Sequence, residues 1–243
     1  YLLSLLVKKV SLARGSTWIL AASFVFLSLY LLLAAFHSTG WDYFGSRHFL
    51  SIYAWVIAGI YLGLQFKTKT RLLGAFIVPF ILLLMIAAAG YGSGKNLVPP
   101  QWQGWLTNLH LVLAIVGEAL FLLATAASAM FIIQNGLLKR KKPGKMGRLL
   151  PSLGELDRIN HLGLLWGFPL LTIGMIAGTV YAAFVWGGQW PADPKVIWSF
   201  AVWAVYGFLL HQRLAIGWKG SRIAILSCVA FLLFLSSALV IRF

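Results

Sequence analysis

Charge is scarce in this chain and nearly all of one sign: 10% of its 243 residues are charged, 5 of them acidic against 20 Lys and Arg. Soluble domains carry roughly 25% charged residues. With 60% hydrophobic residues and a mean hydropathy of +0.87, the chain reads as an integral membrane protein. Cysteine is almost missing as well. The single Cys228 falls in the last apolar stretch and reads as a small core or lipid-facing residue. Long polar stretches are lacking too. The longest connection, 135–161, is too short for a core of its own and is dominated by Lys and Arg. No Ser-His-Asp arrangement or zinc-ligand cluster is readable, and Gly90-Tyr-Gly-Ser-Gly-Lys-Asn96 lacks P-loop spacing.

What is present is a series of long apolar runs. Crossing ~30 Å of hydrocarbon takes ~20 mostly apolar residues in a helix, because the backbone must satisfy its own hydrogen bonds there. Seven stretches qualify: 17–37, 48–66, 71–90, 107–134, 162–186, 195–212 and 222–241. The expected fold is an all-α, polytopic membrane helix bundle of about seven transmembrane helices. Residues 1–16 form a cytoplasmic or interfacial N-terminal segment, and 17–243 a single transmembrane domain. Placing the N-terminus in the cytoplasm leaves only Arg47, Lys95, Lys195 and Arg242 of the 20 basic residues outside. The positive-inside rule therefore favours N-in and C-out. The net charge of +15 is a topology signal toward anionic lipid, and a nucleic-acid partner is not expected.

The densest motif joins two apolar runs: Trp186-Gly-Gly-Gln-Trp190-Pro-Ala-Asp193-Pro-Lys195-Val-Ile-Trp198. Two further blocks are Leu150-Pro-Ser-Leu-Gly-Glu-Leu-Asp-Arg-Ile-Asn160 and Gly167-Phe-Pro-Leu-Leu-Thr-Ile-Gly-Met-Ile-Ala-Gly178. With Trp105 to His110 and Trp203 to His211-Gln-Arg213, these resemble the CcsA/ResC-type cytochrome c assembly proteins, whose WWD segment corresponds to 186–198 here. The likeness covers about 45–240. Ala192 departs from it where a tryptophan is expected, and Val196 where an acid is common. HemX-like proteins and YpjD belong to the same superfamily.

The resemblance implies non-covalent haem b. By that analogy His110 is an axial ligand at the outer face, Trp186, Trp190 and Trp198 cradle the ring, and Asp193 and Lys195 order the loop. His211 matches a histidine that binds haem within the membrane in larger relatives, with the haem iron held through His110 or His211. Those relatives carry a second outer histidine after the loop, and no outer histidine follows the loop before Phe243 here; His37 and His48 fall on the outer side as candidate substitutes, without the family's ligand motifs around them. The chain has no Cys-x-x-Cys-His, so an apocytochrome is a separate chain.

Bottom-up, each residue has a second reading. Haem is a flat macrocycle whose iron takes axial imidazole, and indoles offer stacking area for it; equally, tryptophans form belts at headgroup depth in any membrane protein. His211 is a ligand or a side chain snorkelling beside Arg213, with Gly207 one turn earlier leaving room for a ring. His161 reads as interfacial. Glu118 is the only carboxylate deep in an apolar run, eight residues and about 12 Å beyond His110. An ionisable group there costs ~3 kcal/mol to insert. It either holds a ligand or partner helix by a hydrogen bond, or is a protonated acid bonded to a local carbonyl. The glycine pairs Gly163/Gly167 and Gly174/Gly178 permit close helix approach, a weak pattern in a membrane bundle.

The expected function is a haem-binding membrane protein of cytochrome c biogenesis, moving or presenting haem at the outer face of a bacterial inner or equivalent organellar membrane. Its expected partners are apocytochrome c and a ResB/CcsB-type membrane protein, and any catalysis would belong to a holocytochrome c synthase system. The alternatives are a HemX-like regulator or scaffold binding glutamyl-tRNA reductase, and an accessory subunit of a respiratory or redox complex.

Overall fold

The computed structural model describes residues 10–37, 46–67, 70–90, 104–141, 150–185, 187 and 194–240. Among these there are seven α-helices and no strand: α1 Val10–His37, α2 Ser46–Lys67, α3 Gly74–Gly90, α4 Trp105–Lys139, α5 Leu153–Val185, α6 Pro194–Leu214 and α7 Ser221–Val240. A 3₁₀ turn, Arg71–Leu73, leads into α3. The spans Arg14–His37, His48–Gln65, Arg71–Gly90, Trp105–Lys139 and Leu153–Val185 are long and apolar enough to cross a membrane. The other two helices have 21 and 20 residues, about 30 Å each. Lys195, His211 and Arg213 make α6 the more polar of the two. The protein is an integral membrane protein with a helical bundle fold.

The chain divides into two compact units, Tyr1–Trp105 and Leu106–Phe243. In the first, α1 turns large apolar side chains such as Trp18, Phe26 and Phe36 outward, as suits a helix solvated by lipid. Its inward face meets α2 through paired polar and aromatic groups. Thr17 donates to Gln65 Oε1 at 2.9 Å, and the Trp55 indole N–H donates to Ser28 Oγ at 2.7 Å. Phe24 stacks on Trp55 at 5.4 Å. Tyr61 closes the α2–α3 connection by donating its hydroxyl to the Arg71 carbonyl at 2.7 Å.

In the second unit, α5 begins nine residues before the expected 162, inside what the polar composition marked as a connection. Its start is capped. Ser152 Oγ accepts the Glu155 N–H at 3.2 Å, satisfying one of the amides a helix leaves open at its first turn. The run Ser152-Leu-Gly-Glu155 has capping-box spacing. Helix α5 then continues through Pro169.

Glycines let α4 and α5 approach backbone to backbone. A Cβ at Gly163 would lie 2.7 Å from the Leu120 oxygen, and one at Gly167 would lie 2.7 Å from the Phe121 ring. On α4, a Cβ at Gly117 would meet the Gly167 oxygen at 3.0 Å. Close van der Waals contact of this kind is the main attraction available between helices in lipid. The remaining core brings Phe121, Ala124 and Leu164 against Val202, Tyr206 and Leu209 of α6 and Ile223 and Ala230 of α7. Phe121 and Tyr206 stack with centroids 3.7 Å apart and planes 4° from parallel. Gly217 and Gly220, with φ of 77° and 68°, turn the chain from α6 into α7, a backbone that glycine adopts without strain.

Candidate functional site

A cavity of about 170 Å³ lies within the second unit. Helix α4 supplies His110, Ala114, Glu118 and Phe121, and α5 supplies Leu171 and Met175; α6 contributes Trp198, Ser199 and Val202, and α7 contributes Phe234. Positions 110, 114, 118 and 121 recur at helical spacing, so one stripe of α4 faces the space. Leu171 and Met175, four apart, do the same on α5.

His110 is held in a defined tautomer. Its Nδ1 lies 2.7 Å from the Gly174 carbonyl oxygen. A carbonyl only accepts, so Nδ1 carries the proton and Nε2 of the neutral imidazole keeps its lone pair. This is the arrangement that orients metal-ligating histidines. Space for the ring comes from Gly178, where a Cβ would lie 2.7 Å from Nδ1. The second glycine pair of α5 thus forms the seat of the imidazole as well as a helix contact.

Three of the residues singled out in the sequence, His110, Glu118 and Trp198, meet in this cavity. Trp198 also donates its indole N–H to the Leu233 carbonyl at 3.3 Å, tying the first turns of α6 to α7. His211 is not among them: it is exposed in the last turn of α6, and the space beside Gly207 is taken by the Phe168 ring, 3.1 Å from where a Cβ would stand. In the first unit, His37 is exposed at the end of α1, and the His48 ring lies 6.0 Å from that of Tyr30. Trp186, Trp190 and Asp193 lie outside the described residues. Lys195 takes the second position of α6. Among the described residues no three His, Cys, Asp or Glu gather as a metal cluster. The lining residues that carry donor atoms are His110, Glu118, Ser199, Trp198 and Met175, within an aromatic and aliphatic wall.

A second polar assembly went unassigned in the sequence. Arg213, 7% exposed, donates to both carboxylate oxygens of Asp157, at 2.6 and 3.3 Å, and to the Asp157 carbonyl at 2.9 Å. It also donates to Asn160 Oδ1 at 3.0 Å and to His161 Nδ1 at 2.9 Å. Asn160 in turn donates to Ser128 Oγ and Ser227 Oγ at 2.8 and 2.9 Å. Asp157 Oδ1 accepts the Gly220 N–H at 3.0 Å. Four helices and the α6–α7 turn are joined, and His161 is a member of this network. The clue lay in polar residues bordering apolar runs in two of the motif blocks, Asp157 and Asn160 in one and Arg213 in the other.

The second unit is thus a helical membrane unit with an oriented histidine in a cavity walled by aromatic and aliphatic side chains. The comparisons make the assignment specific. The profile of the family described as Cytochrome C assembly protein matches residues 45–243, and the chain belongs to that family. It is similar to the cytochrome c biogenesis protein CcsA of Chlamydomonas reinhardtii, 35% identical over 168 residues, covering 67% of this chain and 46% of the relative. Similarity to CcsA of Trieres chinensis is 29% over 249 residues, covering 89% and 74%; to that of Prochlorococcus marinus (strain MIT 9301) it is 32% over 170 residues, covering 62% and 55%. The chain thus spans less than half the length of the first of these relatives and about three quarters of the second. No solved structure matches it.

Proposed function

We propose that this chain acts in cytochrome c biogenesis by holding haem b in the second unit, with His110 as an axial ligand and the segment 186–198 as an aromatic rim. The observation that supports this reading is the His110–Gly174 hydrogen bond, which engages Nδ1 and leaves Nε2 as the nitrogen available to a metal in a ring seated on Gly178. The residues fit the group. One fixed imidazole supplies iron ligation, while Phe121, Trp198 and Phe234 offer ring faces and edges. The cavity's volume is below the ~300–1,000 Å³ of pockets that enclose a whole ligand, so it would hold only part of the macrocycle.

When bound, haem supplies the iron and the vinyl groups to which cytochrome thiols attach. The protein's own work is positional. The Gly174 carbonyl holds the His110 proton at Nδ1, and the apolar wall keeps water from the ligated face. Trp198, anchored to Leu233, ties the first turns of α6 to α7. The partners that suit this work are apocytochrome c and a ResB/CcsB-type membrane protein, with presentation at the outer face of a bacterial inner or equivalent organellar membrane.

The test is the visible spectrum, oxidised and dithionite-reduced, of detergent-purified wild type, His110→Ala and His211→Ala. The expected result is a b-type spectrum in wild type that His110→Ala abolishes or shifts and His211→Ala leaves. Haem bound with an unchanged spectrum in His110→Ala would overturn the assignment of the ligand. Absence of haem after reconstitution would overturn the haem-holding role.

A further inference from the structure

Two cationic segments of the second unit meet at one end of it. Asn135, in the last turns of α4, donates to Ser221 Oγ at the start of α7 at 2.8 Å, and the Phe131 ring lies 3.5 Å from where a Cβ at Gly220 would stand. The end of α4 therefore lies beside the turn that joins α6 to α7. The first brings Lys139 and Arg140, the second Lys219 and Arg222, and all four are exposed. Asp157, the acid that reaches this turn, is already taken: it pairs with Arg213 and accepts the Gly220 N–H. Among the described residues no carboxylate is in ion-pair contact with the four cations. Helix α6 has 21 residues, about 30 Å, the thickness of the hydrocarbon layer, so the turn after it comes at headgroup depth. Leu214 and Ile216 in that turn are more than half exposed. Beside them the Arg222 guanidinium lies 5.8 Å from the centroid of the half-buried Trp218 ring. An indole with cations around it suits the membrane boundary.

We infer that the end of α4 and the α6–α7 turn form a binding site for an anionic phospholipid. Lys219 and Arg222 hold the headgroup phosphate, Lys139 and Arg140 add their charge from α4, and Leu214 and Ile216 lie along the acyl chains. Cations alone would serve any polyanion; exposed aliphatic side chains at the same level select one that carries acyl chains. A merely solvated basic face attracts anionic lipid through the summed charge of the protein, and in that case cations elsewhere on the chain would count as much as these.

The experiment counts, by native mass spectrometry, the lipids that the detergent-purified full chain retains from mixed micelles holding equal amounts of phosphatidylglycerol and phosphatidylcholine. The variants are Lys219→Gln, Arg222→Gln and, as a charge control in the first unit, Arg14→Gln at an exposed position of α1. Wild type is expected to retain phosphatidylglycerol in preference. Each of the first two variants should lower that retention ~5-fold, which corresponds to about 1 kcal/mol per cation near a charged surface, and Arg14→Gln should leave it unchanged. Arg222→Gln also gives up the Trp218 contact, so Lys219→Gln, an exposed side chain outside the Arg213 network, decides the matter if Arg222→Gln fails to fold. Equal retention of the two lipids by wild type, or equal losses in all three variants, would overturn the inference. Displacement of the lipid by inorganic phosphate would make this a site for a free anion and overturn the assignment to lipid.

Discussion

Arg213 and Asp157, 56 residues apart in sequence, form a salt bridge at 2.6 Å in which the Arg213 side chain is 5% exposed and that of Asp157 22%. Taking two charges from water is costly, and the pair is stable here because nearly every remaining donor and acceptor is used: the guanidinium also reaches a carbonyl, an amide and an imidazole, and the carboxylate takes a backbone N–H. Removing one member leaves the other buried and unpaired. Arg213→Met should therefore lower stability by about 3–5 kcal/mol, read as the loss of melting temperature in detergent. Arg213→Lys should recover only part of it, since an ammonium lacks the planar fork.

Asn160 is the hub between that pair and the rest of the bundle, 2% exposed and bonded to α4, α6 and α7. Asn160→Ala should destabilise by more than either Ser128→Ala or Ser227→Ala, each buried hydrogen bond left unmade contributing roughly 1–3 kcal/mol. Chemical or thermal unfolding of the three variants side by side would check the order.

The glycines separate into contacting and free positions. Gly163→Ala drives a methyl to 2.7 Å from a carbonyl oxygen of α4 and should cost about 1–3 kcal/mol. Gly136→Ala meets nothing within 4 Å and should be neutral or stabilising by up to ~1 kcal/mol through helix propensity. Melting temperatures would fall for Gly163→Ala and stay or rise for Gly136→Ala.

Gly178→Ala tests the histidine seat without touching the ligand. Its methyl displaces the imidazole from the Gly174 carbonyl, so haem bound to this variant should show altered axial ligation, while circular dichroism remains that of a helical protein. An unaltered haem spectrum would show that the ring does not need that seat.

Orientation has its own test. In a Cys228→Ala background, a cysteine placed by Lys141→Cys should react with an impermeant maleimide only from the cytoplasmic side, and one placed by Gly187→Cys only from the outside. The reverse labelling would invert the topology.

The helices were legible because apolar runs of about twenty residues have few other uses in so hydropathic a chain. The beginning of α5 was not, because Pro151, Ser152, Gly154 and the charges at 155, 157 and 158 look like a loop when hydropathy is the guide; the capping spacing from Ser152 to Glu155 was the available signal. His110, Glu118 and Trp198 stood out as chemical types in unusual places, and the structure gathers them. Met175 did not stand out, since a methionine in an apolar run is unremarkable until packing shows which side chains share its face. The same holds for Asp157 and Arg213: each borders an apolar run, and only the packing of α6 against α5 brings them together. The glycine pairs looked weak as a motif because their meaning depends on what lies opposite, which a single helix does not reveal.

Chain order gives the buried charge network a direction in time. Asp157 and Asn160 on α5 are synthesised before Arg213, and domains generally assemble from the N-terminal side as they emerge. The guanidinium at the end of α6 thus arrives to find its acceptors already waiting, and the Gly220 amide then joins Asp157 as α7 begins. Entry of the α6–α7 hairpin into the bundle would then go with neutralising the charge of Arg213, and α6 inserted without α5 would hold that guanidinium without its acceptors.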